Sequence, residues 1–326
     1  MEWLLIVLVL VHASGLAAPL QPADGGAAAG VVAEPSPAPV GPSSSRLRAW
    51  GLNVAGVVGL LAGLYVALIF LLLVLEPRFI YCPSRQPQGD WTPPRGAQDC
   101  TIRTADGLEL HGWWQPAHGA APVLLWFHGN AGNVTYCAEM LGLLRGSGLS
   151  VLLVDYRGYG KSQGRPSEQG LYLDGKAAYR YLVEERGIEP GQIVSYGHSL
   201  GSAVALHVAL ERPVAALILE SPLASARAMA RRIMPWVPVW PFVRSRLDNV
   251  GRIEHLKVPL LVIHGDRDGT VPLEQGRAVF EAAPGPKRFF TVRGADHNDS
   301  YLVGGRVYFD ELIGFCRQCT GRTHRD

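Results

Sequence analysis

The amino-acid sequence predicts an α/β fold: a mostly parallel, doubly wound sheet flanked by helices, with a short cap, preceded by one membrane-spanning helix. Three observations carry that expectation. From about Gln98 to Arg317, short apolar runs alternate with helix-spaced segments, the rhythm of strands joined by crossover helices. Residues 54–75 form a 22-residue stretch without a single charge, long enough to cross a bilayer. Gly197-His198-Ser199-Leu200-Gly201 stands between a strand-like run and a helical one.

The bulk properties limit the function classes. With 326 residues and 48% hydrophobic composition, one large globular domain with appendages is expected. The net charge of +2 and the lack of a basic, aromatic-interleaved stripe argue against nucleic acid as a partner. Five scattered cysteines do not make a disulfide framework. Cys316 and Cys319 form a lone C-x-x-C without the second ligand pair that zinc needs. No metal and no cofactor is expected.

Residues 1–18 are apolar and resemble a secretory signal, although Glu2 stands where a basic residue is usual. Residues 19–48, rich in Pro, Ala, Gly and Ser, read as a linker. The span is placed at residues 51–75, a single pass, with Trp50 and Tyr81 near its ends. Arg46 and Arg48 argue for a cytoplasmic N-terminal flank, whereas Arg78, Arg85 and Arg95 argue for the reverse, so sidedness stays open. Gly59 and Gly63 make a G-x-x-x-G, a pattern compatible with helix pairing.

The main domain is expected over residues 76–317, with a tail at 318–326. Residues 100–104 and 108–114 read as two strands around the Asp106-Gly107 turn. Strands follow at 122–127, 150–155, 193–196, 214–219, 260–263 and 288–292. Helical spacing occurs at 136–144, 171–185, 199–210, about 273–280 and 308–317. Residues 221–251 interrupt this rhythm. Their core, Ile233-Met234-Pro235-Trp236-Val237-Pro238-Val239-Trp240-Pro241-Phe242-Val243, is apolar and broken by proline, with Arg227, Arg231, Arg232, Arg244 and Arg246 around it. It reads as a cap over a pocket, with Trp236 and Trp240 as candidate substrate contacts.

The chemistry starts at Ser199. Glycines on either side allow a strand-to-helix turn too tight for side chains, which leaves the hydroxyl exposed as a nucleophile. A base must take its proton, and a carboxylate must hold that base. After the strand at 260–263 comes His264-Gly265-Asp266-Arg267-Asp268, offering Asp266 and Asp268 as acids. After the strand at 288–292 comes Gly294-Ala295-Asp296-His297, offering His297 as the base. The order Ser, acid, His is the one this architecture requires. The Leu200 N–H, next after the nucleophile, is one expected oxyanion donor.

These motifs, with Phe127-His128-Gly129-Asn130-Ala131-Gly132-Asn133 and Asp155-Tyr156-Arg157-Gly158-Tyr159-Gly160-Lys161-Ser162, resemble the α/β-hydrolase superfamily. Within it the chain looks like the membrane-anchored, bud-emergence-protein-like branch of serine hydrolases, over about residues 75–317. Residues 1–45 have no counterpart in that resemblance. It implies Asp268 as the acid, since the acid precedes a Gly-Thr-Val-Pro-like run, and leaves Asp266 to shape the turn. It also implies the Asn130 backbone N–H as the second oxyanion donor. The expected activity is a membrane-tethered serine hydrolase cleaving an ester or thioester of a lipid-like or acylated substrate, held to the bilayer by residues 51–75. An amide hydrolase with the same triad, and a non-catalytic membrane scaffold on the same fold, are the alternatives.

Overall fold

The structure, a computed structural model, describes residues 44–119 and 121–321. The expected signal-like segment and the linker up to residue 43 lie outside the described residues, as does most of the tail. Of two compact units, Leu60–Asp326 holds the sheet and the contacts discussed below.

The apolar runs become eight strands of one sheet: β1 Gln98–Arg103, β2 Glu109–Gln115, β3 Val123–Phe127, β4 Ser150–Val154, β5 Ile193–His198, β6 Ala216–Glu220, β7 Leu260–Gly265 and β8 Lys287–Val292. Their spatial order is β1-β2-β4-β3-β5-β6-β7-β8. β2 pairs antiparallel with β1 and β4, and the remaining pairs are parallel. β3, β4, β6 and β7 are buried along their whole length. This is why they read as continuous apolar runs rather than alternating ones.

The helices are α1 Ser44–Tyr81, α2 Ala138–Leu143, α3 Glu168–Arg180, α4 Gly201–Glu211, α5 Ala226–Ile233, α6 Val250–Ile253, α7 Leu273–Ala282 and α8 Ser300–Thr320. The period of two sorts the strand residues onto two faces. Leu125, Phe127, Leu152, Leu217 and Val262 pack with Leu171 and Leu182 and with Ala203, Val204, Leu206 and Val208 of α4. Leu124, Trp126, Leu153, Ile218 and Leu261 pack on the other face with Leu141 of α2 and with Tyr308, Leu312 and Phe315 of α8. α8 begins eight residues earlier than its spacing suggested. Gly304 and Gly305 mask its first turns, and Gly305 departs from helical geometry at φ +50.

α1 is longer than the apolar run and includes residues 44–48, assigned above to the linker. Among the described residues it is the one helix long and apolar enough to cross a membrane, over Ala55–Tyr81. Leu60, Leu61, Leu64, Val66 and Phe70 are exposed along it. Pro77 lies inside it. A proline has no N–H for the carbonyl four residues back, which here is that of Leu73. Arg244 supplies the missing donor, its Nη2 reaching the Leu73 carbonyl at 2.8 Å. Buried Glu76 accepts the N–H groups of Arg244 at 3.1 Å and Ser245 at 2.8 Å.

The loop after β4 is ordered by charge. Arg157 donates through Nε to Asp174 at 2.9 Å and through Nη1 and Nη2 to Asp106 at 2.8 and 3.1 Å. Asp174 is fully buried, and burial pushes its carboxyl up to about 6 even with the guanidinium beside it. Arg157→Met keeps the stem and removes the charge. It should lower stability by about 3 kcal/mol by stranding Asp174, read as a shift in the thermal or urea midpoint. A midpoint equal to wild type would show that the Asp174 site can close over a neutral acid at no cost.

Candidate active site

The strand order reverses beside β3, because β4 lies to one side of it and β5 to the other. Loops leaving the carboxyl ends of strands on either side of such a point open a crevice. The Asn130 loop follows β3 and Ser199 follows β5, so both face that crevice.

Ser199 sits at φ +52, a left-handed conformation uncommon for a residue with a side chain. Its neighbours explain how this is held. A Cβ at Gly197 would lie 2.2 Å from the Gly201 carbonyl oxygen, and one at Gly201 would lie 2.1 Å from that of Phe127. The turn therefore packs backbone on backbone, and only glycine fits at either position. The Ser199 N–H donates to the Glu220 carbonyl of β6 at 2.9 Å. Ser202 Oγ bonds the Ser199 carbonyl at 2.5 Å, and Asn249 Nδ2 donates to Ser202 Oγ at 2.8 Å.

The structure brings Ser199, His297 and Asp268 together from three loops. Ser199 Oγ lies 2.9 Å from His297 Nε2, and His297 Nδ1 lies 2.8 Å from Asp268 Oδ2. All three are buried. With Nδ1–H donated to Asp268, Nε2 is the acceptor that faces the serine hydroxyl. Asp268 Oδ1 accepts the N–H groups of Thr270 and Val271 at 3.0 and 2.7 Å. Burial by itself pushes the Asp268 carboxyl up, but bonds from His264, His297 and the Val271 N–H outweigh it. The carboxyl is held well below the usual range.

The other acids of these loops have different partners. Asp266 Oδ1 accepts the Gly294 N–H at 2.6 Å. Asp296 Oδ1 accepts the N–H groups of Gly269 and His297, both at 2.8 Å, and so joins the two loops. His198, next to Ser199, donates through Nε2 to the His297 carbonyl at 2.9 Å. Burial, helped by the neighbouring His297, pushes its imidazole down to about 3.

A cavity of about 510 Å³ opens at Ser199 and His297, lined by Asn130, Trp126, Tyr136, Met140, Glu220 and Tyr301 among others. Asn130 lies on its wall, and Leu200 caps the N-terminus of α4. Among the described residues, no backbone carbonyl takes the N–H of either. The Asn130 side chain points away and donates to the Ile80 carbonyl at 3.2 Å, while Tyr159 Oη donates to the carbonyls of Asn130 and Tyr81. Asn133, whose sequence context matches a glycosylation acceptor, is fully buried. Its Nδ2 holds the carbonyls of Ser84 and Gln86.

Trp236 and Trp240 are not in the cavity wall, which contains no residue of 221–251. Trp236 is 89% exposed and bonded through its carbonyl to Tyr65, at 3.0 Å. The segment expected to cover the pocket is tied to α1 instead. Conversely, Glu220 was missed. Its Oε2 accepts from Tyr196 at 2.5 Å and Tyr308 at 2.6 Å, and the residue lines the cavity. Burial pushes its carboxyl up. The available signal was a carboxylate closing the otherwise apolar run Ala216–Glu220 at the active edge of the sheet.

Comparisons with known proteins agree with this fold. A family described as serine aminopeptidase, S33, matches residues 119–249. An uncharacterized protein of Mycobacterium tuberculosis is 39% identical over 277 residues, covering 84% of this chain and 96% of the relative. The alpha/beta hydrolase domain-containing protein WAV2 of Arabidopsis thaliana is 30% identical over 281 residues, covering 78% and 91%. Among solved structures, the Pyrococcus furiosus esterase Pf2001 superposes with a TM-score of 0.63 at 24% identity, covering 74% of this chain and 100% of that one. The esterase domain of a Rhodothermus marinus protein does so at 0.55 and 22%, covering 69% and 99%. These structures share the fold.

Two measurements test the site's construction. Gly201→Ala pushes a methyl into the Phe127 carbonyl and should cost about 2–3 kcal/mol, seen as a lower unfolding midpoint; an unchanged midpoint would mean the turn can relax. His198 supplies a pH test. Its folded value of about 3 lies below the unfolded value of about 6.5, so between them the unfolded chain binds more protons. The stability it contributes is complete above pH 6.5 and is lost as pH falls toward 3. From pH 7 to pH 5 this group should remove about 2 kcal/mol, and His198→Gln should lack that part of the slope in urea titrations.

Proposed function

The chain belongs to the α/β-hydrolase superfamily, and on that premise we propose that it is a membrane-tethered serine hydrolase acting on an ester or thioester. One observation carries the reading: the continuous hydrogen-bonded line Ser199–His297–Asp268, with Ser199 strained at φ +52 on the wall of a cavity.

The chemistry follows from the atoms. His297 Nε2 takes the hydroxyl proton as Ser199 Oγ attacks the acyl carbon, and Asp268 stabilises the imidazolium that forms. The oxyanion takes the free N–H groups of Asn130 and Leu200, the latter reinforced by the N-terminal end of α4. His297 then returns the proton to the departing alcohol or thiol, leaving an acyl-enzyme. A water molecule, deprotonated by the same nitrogen, releases the acid and restores the serine. Trp126, Met140, Tyr136 and Tyr301 give the cavity apolar walls suited to an acyl group. α1 supplies the tether, which favours substrates that are themselves lipid-like or acylated.

A second reading, amide hydrolysis, is favoured by Glu220. Its carboxyl, which burial favours neutral in the empty cavity, would be drawn to the ionised form by a substrate's ammonium group at the same wall, as an aminopeptidase requires.

Labelling of the membrane fraction with a tagged fluorophosphonate tests the proposal. Wild type should label and Ser199→Ala should not, with turnover falling about 10³-fold or more. Wild-type chain that is folded, solubilised and still unlabelled would sink the assignment and leave a non-catalytic scaffold on this fold. Comparison of acyl-thioester, ester and aminoacyl-amide turnover then separates the two readings.

A further inference from the structure

Residues 233–243 contain eleven residues and no charge, yet lie on the surface. Val239 and Val243 turn inward, while Ile233, Trp236 and Phe242 are 64%, 89% and 60% exposed. A soluble protein rarely leaves such side chains contiguous and uncovered. Arginines close both ends: Arg231 and Arg232 before the segment, Arg244 and Arg246 after it, with Arg227 one turn further back, all exposed.

The segment is fixed to α1 at two heights. Just past its end, Arg244 and Ser245 are held near the C-terminus of the helix by Glu76 and the Leu73 carbonyl. Its tip is bound higher, where Tyr65 Oη donates to the Trp236 carbonyl at 3.0 Å. Tyr65 and Glu76 are eleven residues apart, about 16 Å along a helix. That is about half the thickness of a bilayer's hydrocarbon core. Tyr65 is also central to the uncharged run 54–75. If α1 spans, the Trp236 tip stands at hydrocarbon depth.

Much of the segment's backbone is paired or lacks a donor, as hydrocarbon depth favours, although the N–H groups of Trp236 and Trp240 have no acceptor among the described residues. Pro235, Pro238 and Pro241 bring no N–H. Met234, Val237, Val239 and Phe242 donate theirs to the carbonyls of Ala230, Met234, Val237 and Val239. The Trp236 carbonyl receives the Tyr65 hydroxyl and is thereby paired without water.

We propose that residues 233–243 form a second membrane element, a loop inserted beside α1 among the lipid acyl chains. Ile233, Trp236 and Phe242 face lipid, and Arg227, Arg231, Arg232 and Arg246 meet headgroup phosphates at the surface. The occupant of this apolar face is the bilayer. The inference rests on the reading of α1 as a span and adds that the hydrolase unit itself is immersed, with α1 and the loop entering the bilayer together.

The experiment uses the full chain reconstituted into vesicles of phosphatidylcholine and phosphatidylglycerol. Emission of wild type minus that of Trp236→Phe isolates Trp236, whose exposure makes the substitution compatible with folding; a circular-dichroism melt checks this. The expected result is loss of the Trp236 signal when the phosphatidylcholine is brominated near the chain ends, with protection from aqueous iodide. A chain that resists alkaline carbonate extraction while its Trp236 signal is quenched by iodide and not by brominated lipid overturns the insertion and leaves the span standing. Release of the chain by carbonate overturns both.

Discussion

One backbone conformation governs the candidate active site: Ser199 held at φ +52 between two glycines that touch neighbouring backbone. The strain persists because β5, the loop after β3 and the start of α4 meet there with no room for another path. Gly201 against the Phe127 carbonyl sets the distance between Ser199 and the Asn130 loop. The bond from the Ser199 N–H to the Glu220 carbonyl ties the turn to β6. Everything the site does, from the reach of His297 to the direction of the α4 dipole, inherits its geometry from that point.

Around this turn, acids with similar sequence surroundings divide the work by partner. Asp268 faces His297 and His264, which keep it ionised despite burial. Asp266 and Asp296 spend their oxygens on backbone N–H groups and fix the two loops that carry Asp268 and His297. Glu220 is buried between two tyrosine hydroxyls, and its burial favours the neutral form. Charge state thus follows from what each carboxyl touches rather than from its type.

α1 meets the hydrolase unit through polar atoms that its own sequence exposes. Pro77 frees the Leu73 carbonyl, Glu76 sits where a charge is otherwise costly, and both are answered by Arg244 and Ser245. Ile80 and Tyr81, at the end of the same helix, hold the Asn130 loop through Asn130 Nδ2 and Tyr159. The helix end therefore touches both Arg244 and Ser245, directly after the apolar segment 233–243, and the loop on the cavity wall. Its position contributes to the shape of the site.

Periodicity and local turn chemistry determined much of this protein directly. Alternating apolar runs imply a buried parallel sheet, because burial on both faces demands continuous apolar strands. Glycines around Ser199 imply the tight turn, because no side chain fits there, and the order of Ser199, Asp268 and His297 matches the ends of successive strands. The partners of residues 233–243 were another matter. Its prolines and aromatics suit a pocket cover as well as a lipid-facing loop, and only Glu76 and Tyr65, more than 160 positions away, place it beside α1. Glu220 was equally silent, since its role depends on Tyr196 and Tyr308, drawn in from β5 and α8. A sequence records which side of each element avoids water, through short-range pattern. What faces that side is a long-range pairing, and tertiary packing alone decided it.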